Sequence, residues 1–455
     1  MENTQNPMGA KSVSKLLVSL AVPAVVANLV NALYNIVDQI FIGHVVGYLG
    51  NAATNIAFPL TIICMAIGLM TGIGTAAGYN LSLGRKNEQD ARKFAGTAFS
   101  TMLIAGIIIC ILVRIFLKPL IIAFGATDSI YEYALAYSSV TSLGIPFLLF
   151  SCGSNPIVRG DGSSTYSMTA VVTGGVLNII LDALFMYKFN MGIKGAAWAT
   201  VISQIVSALI LARYYLHFKN VKFTAKDFIP HFGFMLKFCK LGFSSFAFQS
   251  SMLIIQITLN NLLKKYGEMS VYGSDVTIAV AGILQKVNLI FLAFVIGIVQ
   301  GAQPICSFNY GAKMYSRVKK TVKISLIVTT VISVVMFIVM QLFPRQIVGL
   351  FGSGSEEYFK FASFYARGLF AVVFLNGVQI FCSTFFPAIG KPGKGTLIAL
   401  AKQLVILWTL LMTLSYFLGL KGIVYAAPIT DALTFILAVS FLIFEIKKMP
   451  KADGE

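Results

Sequence analysis

MGIKGAAWATVISQ, residues 191–204, returns 227 positions later as LGLKGIVYAAPITD, residues 418–431. Gly192, Lys194 and Gly195 fall on Gly419, Lys421 and Gly422. The same offset lays FGATDSIY, 124–131, on FGSGSEEY, 351–358. With a small gap, GLMTGIGTAAGYNLSLGRK, 68–86, pairs with GIVQGAQPICSFNYGAK, 297–313, each closing a helix with an Asn–Gly–basic turn. The offset is half of the 455 residues, so one unit is present twice.

What that unit is made of follows from composition. The chain is 57% hydrophobic and 11% charged, with mean hydropathy +0.82, whereas soluble domains carry about a quarter charged residues. Twelve apolar stretches are long enough to cross a bilayer core of about 30 Å: 16–42, 52–78, 94–117, 135–156, 165–189, 194–217, 236–262, 277–308, 320–343, 360–386, 396–418 and 422–446. The gaps leave no room for a soluble domain. We therefore expect an all-α integral membrane protein with two six-helix lobes. Six is even, so both halves enter the membrane in the same sense and a pseudo-two-fold axis runs along its normal. Such repeats build secondary transporters, with the binding site at their interface. The expected division is 1–217, a basic linker 218–240 interrupted by Pro230, and 241–455.

The net charge of +18 invites a nucleic-acid partner, but its placement argues against one. With the N-terminus inside, most of the 35 Lys and Arg lie on inner connections, among them Arg85 to Lys93, Arg213 to Lys240 and Lys313 to Lys323. That bias places both termini in the cytoplasm of a multi-pass plasma-membrane protein. The six cysteines are scattered singly and read as small core residues. The first apolar stretch is too long for a signal-peptide core and is expected to be retained.

Of 17 acidic residues, only Asp38, Asp182 and Asp431 are embedded in apolar stretches. A charge there costs at least a few kcal/mol and marks function by default. Asn31, Tyr34, Asn35 and Asp38 share one face of the first helix at i, i+3, i+4 and i+7. Asn178 and Asp182 stack four apart on the fifth, and Thr200, Ser203, Gln204 and Ser207 repeat the pattern on the sixth. At the helical rise, Asp38 lies roughly 8 Å inside the outer end of its helix, and Asp182 and Thr200 about 9 Å inside theirs. The repeat does not duplicate this set: Asn178 falls on Val405, Asp182 on Thr409, Thr200 on Ala427 and Gln204 on Asp431. Interhelical hydrogen bonding explains Asn28, Ser203 and Ser207. It does not explain Asp38 and Asp182, because an amide would bond as well without the cost of a charge. Desolvation and a neighbouring carboxylate both favour the protonated form of an acid, so such a pair is expected to exchange a proton or hold a desolvated cation. His44, His217 and His231 fall in connections.

The stretches LYNIVDQIFIGH, PIVRGDG, NIILDALF with GIKGAAWAT, and QPICSFNYGAK resemble the multidrug and toxic compound extrusion (MATE) transporters along nearly the whole chain. The resemblance implies the branch with a cation or proton site in the N-terminal lobe, its motif residues falling on Asp38, Asn178, Asp182 and Thr200. The NorM-type branch instead carries acids on helices seven and ten. Here helix seven offers Gln249, Gln256 and Asn260, and helix ten has Asn376. Asp431, Lys286, Arg367 and Lys402 are read either as an internally paired cluster that fixes helix register or as a second polar wall of a central cavity.

The function expected is antiport: a lipophilic organic cation leaves in exchange for H+ or Na+, the ion competing for the negative site at Asp38, Asn178, Asp182 and Thr200. Tyr34, Asn35, Gln204, Gln249 and Gln256 are the supporting polar residues of the cavity. No cofactor and no metal beyond Na+ at that site are expected, and the functional unit expected is a monomer. Pro23 removes a backbone hydrogen bond and permits bending of the first helix. Two rivals remain. A flippase for lipid-linked sugars would use Lys286, Arg367 and Lys402 to meet pyrophosphate. A membrane-embedded prenyl or glycosyl transferase would need an aspartate-rich metal motif, and the chain contains no DDxxD or HExxH.

Overall fold

In hydrocarbon every backbone N–H and C=O must find its partner within the protein, which leaves helices as the means for long apolar stretches to cross. A computed structural model of the chain describes residues 6–350, 356–450 and 453. Phe351 and Gly352 of the second repeat match lie outside the described residues. Among the described residues all regular structure is helical. Twelve helices are long and apolar enough to span: α1 Val13–Val45, α2 Leu49–Gly84, α3 Glu88–Ile115, α4 Asp128–Gly160, α5 Ser164–Lys188, α6 Gly192–Tyr214, α7 Phe232–Glu268, α8 Val276–Gly311, α9 Tyr315–Leu342, α10 Glu356–Ala388, α11 Pro392–Leu418 and α12 Leu420–Lys448. Helix α1 passes through Pro23 without a break and takes in His44, which the sequence reading left in a connection. Of the stretch read as linker, 232–240 already belongs to α7. Lys237 and Lys240 thus lie on the helix and not in a connection. The true connection lies against α3, where Ser100 Oγ donates to Phe228 O and Arg92 Nη1 to Lys222 O (3.4 Å).

The repeat reappears as matching irregularities. A 3-10 turn at Ser142–Gly144 breaks α4, and another at Val373–Leu375 breaks α10. In α4 the cause is local, since Pro146 opens the following helical segment and has no N–H to offer the preceding turn. Helix α5 ends in a π turn, Leu184–Lys188, and α11 contains one at Ala401–Leu407, which the repeat offset lays on 174–180, earlier in α5. The halves pack as a two-fold requires, α1 against α8 and α2 against α7.

The lobes meet at the end that carries both chain termini. One hydrophobic core draws on both halves there, from Leu16, Leu20 and Tyr79 to Ile305, Phe385 and Phe386. Toward the other end the cores separate, one within the second lobe and smaller ones within the first. The result is a cleft that is closed at the terminal end. Hydrogen bonds cross the closure from Asn28 Nδ2 to Gln300 Oε1 (3.3 Å) and from Ser307 Oγ to Ala77 O (2.8 Å). The short helix Pro7–Ala10 lies over it as a strap. Met8 O accepts from Asn309 Nδ2 and Arg317 Nη2, both at 3.0 Å, and Lys11 O from Arg317 Nη2 at 2.6 Å.

The α2–α7 crossing depends on two facing glycines. A Cβ on Gly74 would overlap Phe238 O, and one on Gly242 would overlap Met70 O. Gly242→Val should therefore disfavour this closed arrangement by about 1–3 kcal/mol, the range for overpacking. Spin labels on the terminal ends of α2 and α7 should then show a longer inter-lobe distance population. An unchanged distance distribution would count against the closure described.

Candidate ion-coupling site

Four helices of the first lobe bring the candidate residues together. Asp38 comes from α1, Asn178 and Asp182 from one face of α5, Thr200 from α6, and Tyr137 from α4. The Asp38 and Asp182 carboxyls are within hydrogen-bonding reach of each other. Asp38 is half-buried, whereas Asp182 is 0% exposed. Neither Asp182 oxygen has a protein donor, and the same holds for Asp38 Oδ1 and Asn178 Oδ1. Asn178 Nδ2 reaches Thr200 Oγ1 at 3.5 Å, and the Tyr137 hydroxyl lies beside Thr200. Tyr34 lies against Gly175 of α5, beside the acid pair.

This geometry has a chemical consequence. A buried polar atom without a partner costs about 1–3 kcal/mol, and a charged one more. Among the described residues no Lys or Arg is paired with either acid. Two adjacent carboxylates cannot both carry charge unless something positive joins them. The unpaired oxygens could accordingly accept a proton or a small hard cation, which takes oxygen ligands. Among the described residues no group of three or more His, Cys, Asp or Glu could hold a metal ion.

The supporting residues divide. Of the polar set read from sequence, Tyr34 stands beside the acids. Asn35 is exposed and donates to Asn31 O on its own helix (2.6 Å). Gln204 packs on Gly144 at the α4 break. Gln249 is half-buried on α7, and Gln256 Nε2 is bonded to Asn260 Oδ1 (3.3 Å). Ser207 Oγ donates to Ala170 O (2.8 Å), tying α6 to α5 as interhelical glue. Sequence reasoning missed Tyr137. Its spacing from Tyr133 and Thr141, four residues either way, was the available signal.

The second-lobe charges are not one cluster. Lys402 Nζ meets Asp431 Oδ1 (2.8 Å), Asn376 Oδ1 (2.6 Å) and Gln379 Oε1 (2.8 Å), so each ammonium proton has an acceptor. Asn376 Nδ2 donates to Asp431 Oδ2 (3.0 Å) and Gln379 Nε2 to Asp431 O (2.7 Å). Lys402 lies in the π turn of α11 and Asn376 directly after the α10 break. Arg367 stands apart because it precedes that break. Its Nε donates to Gln341 O (3.2 Å) and its own carbonyl accepts from Gln341 Nε2 (2.9 Å), which joins α10 to α9. Lys286, on α8, is half-buried and outside the network.

Comparison with known proteins places the chain in a family. Multidrug export protein MepA of Staphylococcus saprophyticus is 24% identical over 433 residues, covering 94% of this chain and 93% of its own length. MepA of Staphylococcus aureus strain N315 is 24% identical over 428 residues, with 94% and 93% covered. Among solved structures, an outward-facing multidrug resistance MATE family transporter matches with TM-score 0.91 at 24% identity, covering 99% of this chain and 100% of that one. A MOP superfamily transporter from Pyrococcus furiosus, described as having a binding pocket of reverse polarity that suggests a different function, matches with TM-score 0.90 at 23% identity, with 99% and 100% covered. The MatE family profile matches residues 23–184 and 244–407, one segment in each half. With its two halves matched by one profile, the chain belongs to the MatE family, the multidrug and toxic compound extrusion transporters.

Proposed function

We propose that the protein is a secondary antiporter that exports lipophilic organic cations in exchange for H+ or Na+, with Asp38 and Asp182 as the seat of coupling. The observation that carries this reading is the pair of adjacent carboxyls whose buried oxygens have no protein donor and no basic partner. Coupling needs only competition: the ligand that neutralises the pair excludes the other. Asn178, Thr200 and Tyr137 hold the geometry and offer further oxygens. The MepA relatives, named as multidrug exporters, support the substrate class. The positive-inside bias places the termini, and hence the closed end of the cleft, in the cytoplasm. The cleft then opens outward, the state in which an entering ion displaces a bound cation. One chain contains both lobes and the whole acid pair, so a monomer suffices.

In this reading the Lys402–Asp431 pair is a brace, because its hydrogen-bonding capacity is already spent. A second reading rests on Lys286, a cation within α8 that no acid neutralises. It would suit an anionic amphiphile such as a lipid-linked sugar. The unpaired acids of the first lobe favour the cation.

Asp38→Asn should leave the protein inserted and monodisperse while reducing ethidium efflux from proteoliposomes to that of empty vesicles. Undiminished efflux would refute the assignment. Sodium and pH gradients imposed separately should show that one of them drives efflux, and efflux indifferent to both would exclude antiport. Translocation of a lipid-linked oligosaccharide by the same vesicles, without ethidium efflux, would favour the second reading. Lys402→Met should destabilise by about 3–5 kcal/mol, the cost of leaving one partner of a buried ion pair. Replacing both partners, as Lys402→Met with Asp431→Leu, should recover most of that loss in thermal melting and retain efflux. Loss of efflux in a stable double variant would make the pair part of the transport machinery.

A further inference from the structure

Where α5 begins and α6 ends, a cavity of about 580 Å³ opens on the first lobe at the end carrying the termini. Arg213, His217 and Lys219 line it from one side and Ser163 and Thr165 from the other. Among the described residues no carboxylate lines it. The nearest acid, Asp161, is 1% exposed and already occupied. Its Oδ1 accepts from Tyr79 Oη (2.5 Å) and Asn220 Nδ2 (2.7 Å), its Oδ2 from Lys219 N (2.6 Å) and Tyr214 Oη (2.8 Å). Among the described residues neither Arg213 nor Lys219 forms an ion pair. Three cationic or protonatable side chains therefore converge on a space that, among the described residues, has as its neighbouring acid one that is buried and satisfied. The start of α5 adds to this potential, for its Ser163 side chain is bonded to Tyr214 and does not cap the helix.

The setting selects among anions. Leu209 is 61% exposed and lies one helical step below Arg213 on the same face of α6, since residues four apart stack. His217 follows the end of α6, and its Nδ1 lies 3.2 Å from Arg213 O. Leu216 beside it is 80% exposed. An apolar face that rises into a basic mouth is the profile of the hydrocarbon–headgroup boundary, where basic pockets between helices hold anionic lipid headgroups. A free phosphate would use the mouth but gain nothing from Leu209.

We propose that this cavity binds the phosphate of an anionic lipid headgroup, with an acyl chain along the Leu209 face of α6. The Arg213 guanidinium matches two phosphate oxygens at once, Lys219 supplies a point charge, and the Thr165 hydroxyl a further donor. None of these residues belongs to the ion-coupling site, so the proposal stands or falls independently of antiport.

The test uses the full-length protein in a neutral detergent, with phosphatidylglycerol, phosphatidylcholine or inorganic phosphate added. Thermal melting and native mass spectrometry provide the readouts. Phosphatidylglycerol should raise the melting temperature and remain bound, while the other two should not. Arg213→Gln with Lys219→Gln should weaken phosphatidylglycerol binding about thirtyfold, given the contribution of each basic residue near an anionic surface. Thr165→Glu, which sets a carboxylate in the mouth and replaces an exposed residue, should displace the lipid from a protein that remains monodisperse. It decides the matter should the double variant fail to fold. Equal protection by inorganic phosphate or by phosphatidylcholine would overturn the proposal, as would phosphatidylglycerol binding unchanged in the variants.

Discussion

An acid buried among apolar helices must be neutralised, and this protein does so in two different ways. In the second lobe Asp431 has a permanent partner: Lys402 reaches it directly, and Asn376 and Gln379 take up the remaining donors and acceptors. In the first lobe Asp38 and Asp182 have only each other. A satisfied buried network adds rigidity, whereas an unsatisfied one is costly. The second lobe is thereby braced, and the first leaves carboxyl oxygens without a partner. This asymmetry between two otherwise similar halves is the feature on which the proposed ion coupling rests.

The scaffold contributes through its irregularities. Breaks in α4 and α10 occur near corresponding places in the two lobes, and α5 and α11 each contain a π turn at a different position. Departures of this kind from regular helix are common at functional positions. In the first lobe the α4 break takes Gln204 against Gly144, and the same helix brings Tyr137 to Thr200. In the second lobe the α10 break and the α11 π turn present Asn376 and Lys402 to Asp431. Between the lobes, closure at the terminal end relies on close backbone approach at Gly74 and Gly242 and on the Met8–Lys11 strap held by Arg317. Little side-chain bulk has to be rearranged if such an interface opens, which suits rocking of two rigid halves about a shared seam.

Much of this was legible in the chain. Spans of twenty or more apolar residues leave a bilayer helix as their one stable form, and the offset match of 191–204 with 418–431 revealed the two halves. Helical spacing put Asn178 and Asp182 on one face, and the cost of burying charge singled out Asp38 and Asp182, because both arguments are local. The gathering of Asp431, Lys286, Arg367 and Lys402 was a different kind of claim. It assumed that charges within spans find one another, but the α10 break separates Arg367 from Asn376 and turns it to α9.

The sequence by itself determined the twelve spans, the duplication and the two acids that cannot be ordinary filler, since helix period, bilayer thickness and desolvation cost act on residues near one another in the chain. The tertiary structure alone decided that Asp38 lies within reach of Asp182, that Tyr137 joins them, that Lys402 has Asp431 as its partner, and which end of the cleft is closed. Those facts depend on how helices distant in the chain rotate and cross. Such rotations are set by the summed packing of whole faces, which no single stretch of residues encodes.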